Sequence, residues 1–176
     1  CLAEINSRDP ISVTLWDTST AEDVNINELI LQMLNEEELR PKVPPIMQDG
    51  QCFVVHVTQE GTVFVHIKGP GMLTLETLMK QATDTIAKTE DSLALSKVEP
   101  DMVCLAFYSN QWYRAKIVEV FPDTKVMVNL VDYGMETEVN SSDLLDLDIC
   151  NMKLSHLPHQ DVEVRLDGTP SKWTEK

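Results

Sequence analysis

The stretch VCLAFYSNQWYRAKIVEVFPDTKVMVNLVDYGMETEV, Val103–Val139, decides the fold. With Met102 added, it divides into MVCLAFY, WYRAKIVEVF, KVMVNLVDY and METEV, four short strands at the close spacing of a small barrel. The turn PDTK separates the middle pair. At the last corner stand Asp132, Tyr133 and Gly134, with Leu130 before them and Met135 after. Gly134 supplies the backbone freedom that the turn needs. Trp112 and Tyr113 are adjacent on one strand and point to opposite faces, which sends Trp112 to the core. Arg114 and Asp132 read as a structural ion pair bracing the barrel, not as a catalytic pair. Tyr108, Tyr113 and Tyr133 fit two readings equally well: packing with hydroxyls at the rim, or a ligand surface.

Upstream, QCFVVHV and TVFVHI joined by TQEG carry a hairpin signature, with Gly61 near the turn. GPG ends the hairpin. TLETLMKQATDTIAK then sets Leu75, Leu78, Met79, Ala82 and Ile86 along one face, which predicts an amphipathic helix from Leu75 to about Lys88 with Thr74 as N-cap. RPKVPPIMQDG contains three prolines and no periodicity, so it reads as a linker. At the start of the chain, ISVTLWD suits a half-buried strand. NINELILQML follows at helical spacing, with Asn25 or Asn27 available as N-cap. Downstream, SSDLLDL predicts a short helical turn and QDVEVRL a last strand.

Composition narrows the function. Apolar residues make up 43% and charged residues 24%, the ordinary globular range, which argues against wholesale disorder. Twenty-nine acidic against fourteen basic residues give a formal charge of −15. A surface that acidic repels phosphate backbones and attracts cationic partners. Cys1, Cys52, Cys104 and Cys150 are widely spaced without a CxxC pair, which fits free thiols in a reducing compartment. There is no signal-peptide pattern and no apolar run of membrane-spanning length. His156 and His159 flank Pro158 without a matching Cys or carboxylate, a weak metal pattern. Asp146 and Asp148 alternate with leucines as a solvated face. No cofactor is implied.

The segment Val103–Val139 closely resembles a Tudor domain core, with C-x-A-x-[FY], then WYRA, then a DYG turn. The flanking hairpin, the helix and LPHQDVEVRLDGTPSKW resemble the split, nuclease-like OB-fold of extended Tudor domains in germ-granule Tudor domain-containing proteins. The resemblance runs from Gln51 to Trp173. It implies a mostly β fold with α: a small Tudor β-barrel plus a split OB-fold half joined by an amphipathic helix. The expected organisation places residues 1–40 as the tail of a preceding extended Tudor unit and 41–50 as a linker. Residues 51–96 are then the first OB-like part with its linker helix, 97–148 the Tudor core, and 149–176 an incomplete second OB-like part.

The resemblance further implies a non-catalytic reader of dimethylarginine on the Arg/Gly-rich tails of Piwi-class or other granule proteins, in cytoplasmic ribonucleoprotein granules. Cage positions fall on Tyr108, Tyr113, Leu130, Tyr133 and Met135. Leu130 stands where the family carries an aromatic ring, and Met135 where it carries an asparagine. A leucine has no ring quadrupole for a cation, and a thioether cannot replace an amide oxygen. Losing one wall and one hydrogen bond to a charged group removes about 2–4 kcal/mol, roughly thirty- to a thousand-fold in affinity. The expectation is an incomplete cage and weak or methylation-independent peptide binding. The competing readings are a structural repeat without methylarginine binding, an RNA-binding OB surface and a nuclease. The acidic charge opposes the last two, and no metal-ligand cluster favours the nuclease.

Overall fold

The computed structural model describes residues 2–8, 11–19, 23–43, 51–89 and 93–165. Residues 44–50 of the expected linker and residues 166–173 of the OB-like match lie outside the described residues. The chain forms two compact units, residues 1–38 and 39–176.

In the first unit, β1 (Leu2–Arg8), β2 (Ile11–Asp17) and β3 (Val24–Asn25) form an antiparallel sheet, followed by α1 (Ile26–Leu39). Asn25 is the residue that caps α1, its Oδ1 accepting from the Glu28 N–H at 3.2 Å. The alternative, Asn27, is engaged elsewhere and accepts from the Leu15 N–H at 2.8 Å.

The second unit is built on two sheets and a helix. The hairpin β4 (Cys52–Val57) and β5 (Thr62–Ile67) turns through Gly61 at φ 83°, and β11 (Asp161–Arg165) adds to the other edge of β5. A second sheet has the order β10-β6-β7-β8-β9: Leu144–Asp146, Val103–Tyr108, Gln111–Val120, Lys125–Leu130 and Met135–Asn140. Its strands are antiparallel neighbours as expected for the small barrel, but no ladder joins β9 to β10 among the described residues. The β6–β7 connection has only Ser109 and Asn110 between strands, both at positive φ, the geometry of a type I′ hairpin.

Helix α2 (Pro70–Lys88) begins earlier than the spacing predicts. The first turn starts at Pro70, whose missing N–H costs nothing there, and Gly69 replaces Thr74 as the cap. Leu75, Leu78 and Ala82 face a core completed by Leu105, Leu147, Cys150, Leu154 and Leu157. Behind β6 lies a separate core of Cys104, Ala106, Ala115, Ile117, Val126, Val128, Leu130, Val139 and Leu144. Strand β6 therefore buries both faces, Leu105 towards α2 and its neighbours towards the sheet interior. The segment SSDLLDL resolves into a 3₁₀ turn (Ser141–Asp143), β10 and the start of α3 (Leu147–Asn151). Asp146 caps α3, accepting from the Asp148 and Ile149 N–H groups at 2.9 and 3.2 Å. Cys104 and Cys150 are buried free thiols, whereas Cys52 is exposed on β4.

Candidate functional site

The corner between β8 and β9 is closed by the Leu130 carbonyl, which accepts from the Tyr133 N–H at 2.9 Å and the Gly134 N–H at 3.0 Å. Gly134 sits at φ +61°. The Phe64 ring lies so close above it that an added Cβ would come within 2.2 Å of a ring carbon. The glycine is thus required twice, by its own backbone and by the neighbouring strand β5.

Beneath the corner, Arg114 is 3% exposed and Asp132 is 2% exposed. The guanidinium grips both carboxylate oxygens, Nε to Oδ2 at 2.9 Å and Nη2 to Oδ1 at 2.6 Å. Its remaining N–H groups donate to the carbonyls of Leu154, Leu157 and Pro158 at 2.7, 2.6 and 3.1 Å. All five donors of the side chain are occupied, as a buried guanidinium demands. Asp132 is held from two further directions. Its Oδ1 accepts from the Gln160 N–H at 3.0 Å, and its backbone carbonyl accepts from His66 Nε2 at 2.6 Å. The latter contact fixes the tautomer of His66 with the proton on Nε2.

The three tyrosines gather above this brace. Tyr108 ends β6, Tyr113 lies two residues into β7 and Tyr133 sits in the corner, all half-buried. The Tyr108 and Tyr113 ring centroids are 6.5 Å apart, tilted by 59°. Tyr113 and Tyr133 meet edge to face at 5.1 Å, and the Tyr133 and His66 ring centroids are 4.9 Å apart at 61°. Tyr113 donates its hydroxyl to Gln111 Oε1 at 3.1 Å. Burial first, then the neighbouring Tyr113, Asp132 and Glu76, pushes the Tyr133 hydroxyl above its ordinary range, so it stays a neutral donor. Leu130 is fully buried in the sheet interior, and Met135, its partner across the ladder, is half-buried against the same core. The structure therefore brings three of the five cage positions together as a ring cluster and sets Leu130 beneath it.

Trp112 points to the other face, where its ring packs against Phe107 at 5.0 Å and flanks the α2 core. His66, Glu76 and Phe64 are site neighbours that the motif reading does not reach. The signal for two of them lies in TVFVHI, where alternation sets Phe64 and His66 on one face of the strand. Among the described residues, no group of three or more His, Cys, Asp or Glu side chains could hold a metal ion. No helix of the described residues is long and apolar enough to cross a membrane.

A braced DYG corner, a five-stranded sheet and a helix-linked second sheet define one class of protein. The Tudor domain family model matches residues 44–168, and the chain belongs to that family. Tudor domain-containing protein 7 of Xenopus tropicalis is 29% identical over 137 residues, covering 77% of this chain and 13% of the relative. The chain thus spans a small fraction of the length of that relative. The extended Tudor domain TD3 of mouse TDRD1, solved with a MILI peptide containing dimethylarginine, aligns with TM-score 0.57 and 26% identity over 69% of this chain and 61% of that one. A single-site variant of the Drosophila melanogaster Papi extended Tudor domain, solved with a dimethylated Piwi N-terminal peptide, aligns with TM-score 0.60 and 22% identity over 67% of this chain and 60% of that one. The same Papi variant is also known with the unmethylated peptide.

Proposed function

We propose that this chain is a non-catalytic peptide-binding module that takes up arginine-rich segments with little dependence on arginine methylation. The observation that carries the reading is the contact between Tyr113 and Tyr133. A guanidinium sandwiched between two rings needs roughly 7 Å between them, two stacking distances of about 3.5 Å. These rings are 5.1 Å apart and edge to face, so each fills the place that the cation would take. Leu130 is submerged in the core, and Met135 brings no amide oxygen to the rim.

Charge supplies the alternative attraction. At −15 the chain favours cationic segments at long range, and that attraction is screened by salt. The relatives solved with Piwi and MILI peptides support a partner of the Piwi class, and the Papi domain's complexes with both methylated and unmethylated peptide support a fold that tolerates either. The likeness to Tudor domain-containing protein 7 supports assigning the protein to cytoplasmic ribonucleoprotein granules of the germ line. The division of the chain after residue 38, with the family match beginning at residue 44, supports assigning residues 1–40 to a preceding unit.

Calorimetry with an Arg/Gly peptide, unmodified and symmetrically dimethylated, tests the proposal. The expected dissociation constants agree within about threefold, and both weaken as salt rises. A gain of about tenfold or more on methylation, lost in Tyr133→Ala, would overturn it. No binding of either peptide would favour the reading as a structural repeat.

A further inference from the structure

Gln160, the residue that precedes β11, is 1% exposed. Both N–H donors of its side chain are spent on backbone carbonyls, Leu39 at 3.1 Å and Pro158 at 2.8 Å. Its own backbone N–H donates to Asp132 Oδ1 at 3.0 Å. One residue therefore holds the last residue of α1 through its side chain and the DYG corner through its backbone. The Pro158 carbonyl also accepts from Arg114 Nη2, so the amide meets the brace a second time.

Leu39 is fixed from two further sides. Its side chain packs against the core that α2 shares with Leu105, Leu147 and Leu154. Its carbonyl lies over Gly71 in the first turn of α2, where an added Cβ would come within 2.0 Å of that oxygen and 2.3 Å of Gln160 Oε1. Only a residue without a side chain lets both oxygens approach this turn, and the helix dipole favours them there. Leu39 is the first residue of the second unit and stands ahead of the family match, which begins at residue 44.

We propose that Gln160 is a positioning residue for the DYG corner, and that the end of α1 acts on the corner through it. The route has four stations: the Leu39 carbonyl, the Gln160 amide, the Gln160 N–H and the Asp132 carboxylate. Each link is a directional bond whose loss leaves a shielded polar group unsatisfied. Release of Leu39 frees the amide to turn, and the Gln160 backbone then loosens its hold on Asp132 and on Tyr133 beside it. By reciprocity, whatever steadies the corner also steadies the end of α1. The inference goes beyond the peptide-binding reading, since no step of it needs a ligand.

Amide hydrogen exchange, followed by NMR on the whole chain, tests this as a double-mutant cycle of Leu39→Ala and Gln160→Met. Methionine matches the length of glutamine without its donors and leaves the backbone N–H in place. The amides read are those of Tyr133 and Gly134, both bonded to the Leu130 carbonyl. Each single change should speed their exchange about five- to twentyfold, and the double change should add less than about twofold to the larger effect. Val126→Ala, at the far end of β8 from the corner, is the control for general loss of stability, compared at denaturant concentrations that equalise the unfolded fraction. Equal acceleration in the control overturns the proposal, as does a Leu39→Ala effect that persists in full beside Gln160→Met. So does a corner unmoved by either change while the Leu39 amide itself exchanges faster. Should Leu39→Ala fail to fold, Gln160→Met decides alone, because it must speed the corner more than the control does.

Discussion

Gly134 carries two demands that a side chain cannot meet together. Its φ of +61° disfavours any residue with a Cβ, and the Phe64 ring occupies the space where a Cβ would go. Gly134→Ala should cost about 2–4 kcal/mol in urea denaturation, the left-handed strain plus the displaced ring. Phe64→Ala in the same chain should return part of that cost, so the double variant is less destabilised than the sum of the two single changes. Strict additivity would mean that the ring gives way freely. The glycine itself is legible in the sequence, because a DYG corner between two strands asks for a left-handed residue. Phe64 is not legible, because the contact joins positions seventy residues apart in sequence (64 and 134). Alternation says which way a side chain faces and not what it meets. The same limit explains Leu130, which a motif places at a cage wall and the even-numbered core face of β8 draws inward.

Strand β6 teaches the corresponding lesson for elements. Strict alternation predicts one buried and one wet face for CLAFY, yet Cys104, Leu105 and Ala106 are all buried because α2 covers the outer side. Helix α2 was readable from its stripe of Leu75, Leu78 and Ala82, but its true start at Pro70 was hidden behind a Gly-Pro-Gly that reads equally well as a terminator. Double burial of β6 has a chemical result. Burial pushes the Cys104 thiol up from 9.0 to about 12. The folded state therefore keeps its proton where the unfolded state has lost it, so stability is unaffected below pH 9 and declines from there to about 12. The slope from this group approaches about 1.4 kcal/mol per pH unit. Urea midpoints measured between pH 9 and 11 should thus fall less steeply in Cys104→Ala than in the wild type. Parallel slopes would count against a thiol held neutral by burial.

At the scale of the molecule, the ring cluster and the joint between the two sheets of the second unit both depend on the brace at Asp132. Asp132→Asn leaves the Arg114 charge buried without its counter-ion and should cost about 3–5 kcal/mol, read from chemical denaturation. A loss below about 1 kcal/mol would mean that water reaches the guanidinium in the variant. The WYRA and DYG motifs make Arg114 and Asp132 visible as a pair, since both are charged residues on neighbouring apolar strands. The three carbonyls of Leu154, Leu157 and Pro158 are invisible beforehand, because any backbone offers an acceptor and only the path of the chain selects which.

His66 and Gln160 reach Asp132 from β5 and from the residue preceding β11, neighbouring strands of one sheet, while Asp132 lies in the corner that follows β8 of the other. The two sheets are therefore fastened to each other around a single peg. Under the proposed function, the loss of freedom on complex formation falls on the peptide rather than on its host, so stiffening that peptide, for instance by proline or cyclisation, is the direct way to lengthen its stay.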